Sequence, residues 1–173
     1  MPTRGERLQL LGWLLAAPVD ESRELLQEVP VTHDWLASPL EELAGISLDE
    51  WQAEHTRLFV SGHPRTACPP FESAWVNGMM LGSSTTAVAE LYRKIGLEED
   101  SVLPDYLGTM LECAAYLEDQ PDTHSQAMKL ELWREHLERW LPRFAQTLAE
   151  ESQLALYREL AGQLFLLCEE CRD

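Results

Sequence analysis

Residues 104–117 read PDYLGTMLECAAYL, and they decide the fold class. Pro104 suits the first turn of a helix, where a missing N–H costs no hydrogen bond. Leu107, Met110, Leu111, Ala114 and Leu117 then recur at the three- and four-residue intervals of one helical face. The same rhythm extends outward in both directions. Upstream, Thr85 or Thr86 opens a helix that buries Val88, Leu91, Tyr92 and Ile95 and stops at Gly96. Before it, Ser47 with Glu50 makes a capping-box pattern ahead of the stripe Leu48, Trp51, His55, Leu58 and Phe59. Downstream, Pro121 precedes a helix through Leu130, Trp133, Leu137 and Trp140 that Pro142 is expected to end or kink. A last helix runs from about Gln153 toward Cys171. No segment alternates apolar and polar residues as a strand would, and β-branched residues are sparse. The expectation is an all-α chain, with residues 1–173 forming one helical domain.

One stretch resists helix. Residues 61–73, SGHPRTACPPFES, hold three of the ten prolines and no apolar period. Long loops in compact domains are functional or disordered, and the apolar neighbours Leu58, Phe59 and Trp75 argue against a floppy linker. At the other extreme, Arg4 and Arg7 followed by an apolar run from Leu8 to Val19 resemble a secretory leader superficially. Glu6 among the arginines and the lack of a small-x-small cleavage signal speak against one, while Leu8, Leu11 and Leu15 have core-helix spacing. The run falls short of the ~20 apolar residues that span a bilayer. A first core helix and a cytoplasmic chain without stable membrane insertion are therefore expected. No two arginines are adjacent, so no twin-arginine leader is expected within the chain itself.

Composition narrows the partners. Hydrophobic residues at 45% suit a soluble globular chain, but the net charge of −17 is far from neutral. Such a field repels phosphate backbones and anionic lipid and attracts basic ligands, so a cationic peptide is a better partner than nucleic acid. Acidic surfaces also serve solubility alone. The run Glu98, Glu99, Asp100 reads as a solvated loop. Cys68, Cys113, Cys168 and Cys171 form no disulfide framework. The pair at 168 and 171 lacks the second pair of a zinc ribbon and the strand–turn–helix of a redox site, and Cys168 continues the stripe Leu154, Tyr157, Ala161, Leu164 as a small buried residue. Dinucleotide, P-loop, nucleophile-elbow and zinc-helix motifs are absent from the sequence. His33, His124 and His136 carry no pattern. His55, His63 and Cys68 lie close enough in sequence to allow a metal-dependent helical enzyme as the alternative, although no fourth ligand is in view.

What remains is the apolar loop and its surroundings. Pro69, Pro70, Phe71, Ser73 and Trp75 match a Pro-Pro-aromatic-x-Ser-x-aromatic pattern after a helix ending in Leu58 and Phe59. Pro104, Asp105, Tyr106, Leu107 and Gly108 make an acidic-aromatic helix start, continued by Ala114, Ala115, Tyr116 and Leu117. A looser likeness covers His136 to Phe144 and then Tyr157, Leu160 and Ala161. Across residues 51–167 the sequence resembles the TorD/DmsD/NarJ redox-enzyme maturation chaperones, most closely the DmsD branch. The resemblance implies a TorD-like single-domain helical bundle that is not an enzyme and needs no cofactor. It implies binding of the twin-arginine leader peptide of a molybdopterin oxidoreductase catalytic subunit, with help in cofactor insertion, assembly or export proofreading. The expected partners are that leader, the catalytic subunit and the twin-arginine export machinery. The implied peptide-binding residues are Leu58, Phe59, Pro70, Phe71, Ser73, Trp75, Pro104, Asp105 and Tyr106, with Asp105 as the partner of the leader's arginines. Most relatives carry histidine where this chain has Tyr106; histidine can charge near neutral pH and tyrosine cannot. A protein that binds a folded helix instead of a leader is a third reading.

Overall fold

The start of the chain forms the core helix that the spacing of Leu8, Leu11 and Leu15 predicts. In a computed structural model describing residues 1–98 and 103–171, helix α1 (Arg4–Leu14) opens on a capping box between Thr3 and Glu6. Leu8, Leu11 and Leu15 are essentially solvent-free, each contributing about 1.5–3 kcal/mol by burial. The leader-like run is thus a core helix, and among the described residues no helix is long and apolar enough to cross a membrane. After α2 (Ser22–Gln27) and α3 (Ala37–Ala44), Ser47 and Glu50 form the expected capping box of α4 (Leu48–His55). Then come α5 (Glu72–Val76), α6 (Ser83–Ile95), α7 (Leu107–Glu118), α8 (Thr123–Glu131), α9 (Glu138–Glu151) and α10 (Ala155–Glu170). Among the described residues there is no strand, only an isolated antiparallel bridge between Phe71 and Tyr106. The fold is an all-α helical bundle.

One apolar cluster joins residues from helices along the whole of the described chain. Helices α1 and α7 pack along each other, as do α9 and α10. At the first contact the backbones come close, because a Cβ on Gly12 would sit 3.2 Å from the Gly108 carbonyl oxygen. Trp140, Phe144 and Tyr157 are fully buried where α9 meets α10.

Several boundaries differ from expectation. Helix α6 begins at Ser83, before Thr85, because its cap comes from a distance: the Asn77 side chain accepts the Ser84 N–H (3.0 Å). Gly96 does stop it in the left-handed conformation, at φ 82°. Helix α7 starts at Leu107, so Pro104 lies before the helix and outside its first turn. Pro142 neither ends nor breaks α9; it lies within the helix, which follows directly on a π-helical segment, Leu132–Leu137. Leu130 is exposed on α8, off the buried face. The acidic run is described only as far as Glu98, which is exposed; Glu99 and Asp100 lie outside the described residues. No cysteine is disulfide-bonded, and Cys168 is buried as expected.

Candidate functional site

The π-helical end of α4, Thr56–Val60, turns Leu58 and Phe59 into the core. The Phe59 ring packs 5.3 Å from Tyr157 and 5.1 Å from His55, centroid to centroid. The loop that follows is pinned back by the Cys68 N–H, which donates to the Leu58 carbonyl (2.7 Å). Its end is then joined to the segment before α7. The Leu107 N–H donates to the Pro70 carbonyl (2.8 Å), and the Glu72 N–H donates to the Asp105 carbonyl (3.1 Å). The Phe71 and Tyr106 rings sit 5.6 Å apart across this bridge. The two sequence signatures, 32 residues apart at Ser73 and Asp105, are therefore one structural unit.

Asp105 is at its centre and fully enclosed. One carboxylate oxygen accepts the Ser73 N–H (2.8 Å) at the start of α5. The other oxygen and the Ser73 hydroxyl are buried without a partner among the described atoms. Asp105 thus caps α5 across the junction and leaves its own helix, α7, uncapped by a side chain. Beside it, buried Glu72 accepts from His136 Nδ1 at 3.0 and 3.1 Å. That histidine, without pattern in the sequence, comes from the π-helical segment before α9. The Tyr92 hydroxyl donates to the Pro104 carbonyl (2.8 Å), tying α6 to the same junction.

On the outer side of the junction lies an open pocket of ≈ 550 Å³ between α1, α7 and the end of α6. Its walls are aromatic and acidic: Trp13, Tyr92, Tyr106 and Tyr116, with Glu98 and Glu112. Trp13 and Tyr116 are 38% and 43% exposed, enough to present ring faces to a ligand. Tyr106 is held in place by a missing side chain, because a Cβ on Gly108 would overlap its ring. Burial, reinforced by the charge of Glu112, pushes the Tyr106 phenol up to about 12, so it keeps its proton across the physiological range. Burial likewise raises the Cys113 thiol to about 12, which leaves it a poor nucleophile.

Of the nine residues expected at the site, Pro104 and Tyr106 line this pocket. Leu58, Phe59, Pro70, Ser73 and Asp105 are buried, while Phe71 and Trp75 are half-buried outside the pocket. Trp75 donates to the Pro69 carbonyl (2.7 Å), and the Arg143 guanidinium lies over its ring at 6.0 Å. Asp105, expected to meet the leader's arginines, is enclosed in this structure and bonded to the Ser73 N–H. Trp13, Glu112 and Tyr116 went unrecognised. For Glu112 and Tyr116 the signal was a second stripe on α7, Thr109, Glu112, Cys113 and Tyr116, at the intervals of one helical face beside the core stripe; Trp13, on α1, carried none.

The alternative metal site does not assemble. His55 is buried with Nε2 against the Leu15 carbonyl (2.9 Å), Cys68 is enclosed, and His63 is exposed. Burial pushes the Cys68 thiol up to about 12, unfavourable for a thiolate ligand. Among the described residues no three His, Cys, Asp or Glu side chains gather as a metal ion requires.

Comparison with known proteins agrees with this architecture. The family model described as "Nitrate reductase delta subunit" matches residues 15–146. The chain is 27% identical over 133 residues to the chaperone protein YcdY of Escherichia coli (strain K12), covering 76% of this chain and 67% of that protein. The crystal structure of a redox enzyme maturation protein from Archaeoglobus fulgidus superposes with a TM-score of 0.71 at 24% identity, covering 98% of this chain and 95% of that one. A model match over most of the chain, with the two signatures folded into one junction, places this protein in the nitrate reductase delta subunit family of redox-enzyme maturation chaperones.

Proposed function

We propose that this chaperone binds the twin-arginine leader peptide of a molybdopterin oxidoreductase catalytic subunit, in the cytoplasm, and that the pocket beside Tyr106 receives it. The observation that carries this is the pairing of carboxylates with exposed aromatic faces in one pocket of a chain with net charge −17. Such leaders combine guanidinium groups with an apolar stretch; charge steers the encounter and burial holds the complex. Glu112 and Glu98 take the arginine-binding role, and Trp13, Tyr106 and Tyr116 supply apolar and cation–π surface. Asp105, Ser73, Pro70, Leu58 and Phe59 act as positioning residues that fix the wall carrying Tyr106 and Pro104. Phe71 and Trp75 extend that wall. The protein catalyses nothing and needs no cofactor. It holds its client until cofactor insertion and assembly are complete, and the twin-arginine export machinery is the next partner of an exported client.

Calorimetry with a synthetic twin-arginine leader tests this. Binding is expected to weaken as salt rises, because exposed charges are screened beyond ~8 Å at physiological ionic strength. Glu112→Gln should weaken the arginine peptide more than the same peptide with both arginines replaced by glutamine. No binding of any molybdoenzyme leader at low salt refutes the proposal.

A further inference from the structure

A second, smaller depression adjoins the pocket. It is a notch of ≈ 100 Å³ beyond Trp13, walled by Ala17, Pro18, Val19 and Leu25 and floored by Trp51. Trp13 and Ala16 line both depressions, so the two form one surface divided by the Trp13 ring. Val19 and Leu25 are 52% and 59% exposed, so both present carbon surface to solvent at the notch. Three polar groups around the notch are engaged within the protein. The Ser22 hydroxyl accepts the Val19 N–H (2.8 Å), the Pro18 carbonyl accepts from Gln52 (2.8 Å), and Trp51 Nε1 donates to the Tyr157 hydroxyl (3.1 Å). What the notch offers is mainly carbon surface. Exposed Asp20, Glu21 and Glu24 are the chain neighbours of the lining residues Val19, Ser22 and Leu25, while Arg23, also beside Ser22, donates to the Ile46 carbonyl (3.0 Å).

We propose that the notch is a second subsite for the same peptide, seating an aliphatic side chain of its apolar stretch while the arginines lie in the larger pocket across Trp13. This rests on the leader-peptide function above and adds a position-specific requirement to it. The acidic rim selects a peptide that is basic as well as apolar, and it disfavours an acidic amphipathic helix. Size selects the side chain: the notch is smaller than the ~150 Å³ cavity that accepts benzene, so it suits leucine, isoleucine or valine over an aromatic ring. Trp13 is the specificity-determining residue, setting the spacing between charge and aliphatic group.

The test uses the full chain and two synthetic peptides. One carries an Arg-Arg pair ahead of a leucine-rich stretch, and the other has serine at the leucines. Leu25→Gln removes an exposed apolar wall and Ala17→Trp fills the notch. Each is expected to weaken the leucine peptide about tenfold, the scale of one buried aliphatic side chain, while the serine peptide binds wild type and variants alike. Because Leu25 is exposed, Leu25→Gln carries the test even where the bulkier Ala17→Trp fails to fold. Equal binding of the leucine peptide to wild type and Leu25→Gln overturns the second subsite and leaves the larger pocket standing. Failure of wild type to bind the leucine peptide at all overturns both.

Discussion

Removing the Asp105 carboxylate separates a supporting role from a ligand-binding one. In Asp105→Ala the Ser73 N–H loses a charge-assisted hydrogen bond inside a closed junction. A hydrogen bond to a charged group contributes about 1.5–3 kcal/mol, and the orphaned N–H carries its own desolvation cost. Against this, the variant also removes a buried carboxylate oxygen that has no partner among the described atoms, which returns part of the loss. The net expectation is about 2–3 kcal/mol of destabilisation. At about 2–4 °C per kcal/mol for a domain of this size, Tm falls by roughly 5–10 °C. Asp105→Asn keeps an acceptor for Ser73 and should cost about 1 kcal/mol or less. The assay pairs thermal unfolding with a double-mutant cycle, crossing Asp105→Asn with replacement of the peptide's arginines by glutamine. Additivity within about 0.5 kcal/mol is expected, because the enclosed carboxylate does not reach the ligand. A coupling above about 1 kcal/mol, with stability unchanged, would place Asp105 on the arginines and refute the assignment drawn from its burial.

Three further outcomes are expected. Gly108→Ala should cost about 1–3 kcal/mol of stability and weaken leader binding, because the added methyl overlaps the Tyr106 ring; denaturant titration and calorimetry read the two effects. Tyr106→His should make peptide affinity pH-dependent near 6–7, where the wild-type phenol keeps its proton; the imidazolium formed on acidification repels the arginines, so binding weakens as pH falls. His55 has its pKa lowered by burial despite the Leu15 carbonyl, so the folded state holds it neutral while the unfolded chain protonates it near 6.5; stability is present above that value and is lost as pH falls, and His55→Gln should flatten that part of the stability–pH curve.

The helices were legible where the causes are local. Ser47 and Glu50 cap α4 within three residues of each other, and Gly96 ends α6 through its own backbone freedom. Predictions slipped where the cause lies elsewhere in the chain. The start of α6 depends on Asn77, seven residues before the Ser84 N–H it accepts, and α7 is entered through a junction with residues 70–73, not through Pro104. Pro142 is tolerated next to a π-helical segment, and no short-range signal announces such a segment. His136 is the plainest case: it has no motif in sequence, yet it meets Glu72 from 64 residues away.

The same division explains why the candidate site was only half visible. The recognisable signature residues are the ones whose chemistry is unusual in sequence: paired prolines, an aspartate between proline and tyrosine, a serine between aromatics. The fold uses most of them internally, with Asp105 on Ser73, Pro70 on Leu107 and Glu72 on His136. The pocket proposed for the ligand is instead lined by the outer faces of α1 and α7, whose residues look ordinary in sequence. Trp13 reads as one more apolar residue in a core helix, and Glu112 as one of thirty acidic residues. Only the close approach of α1 and α7 at Gly12 and Gly108 brings them onto one wall. On the proposed binding mode, rigidity and recognition are carried by different residues. Changes at the signature residues should register first as lost stability, and changes at Trp13, Glu112 and Tyr116 as lost affinity in a normally folded protein.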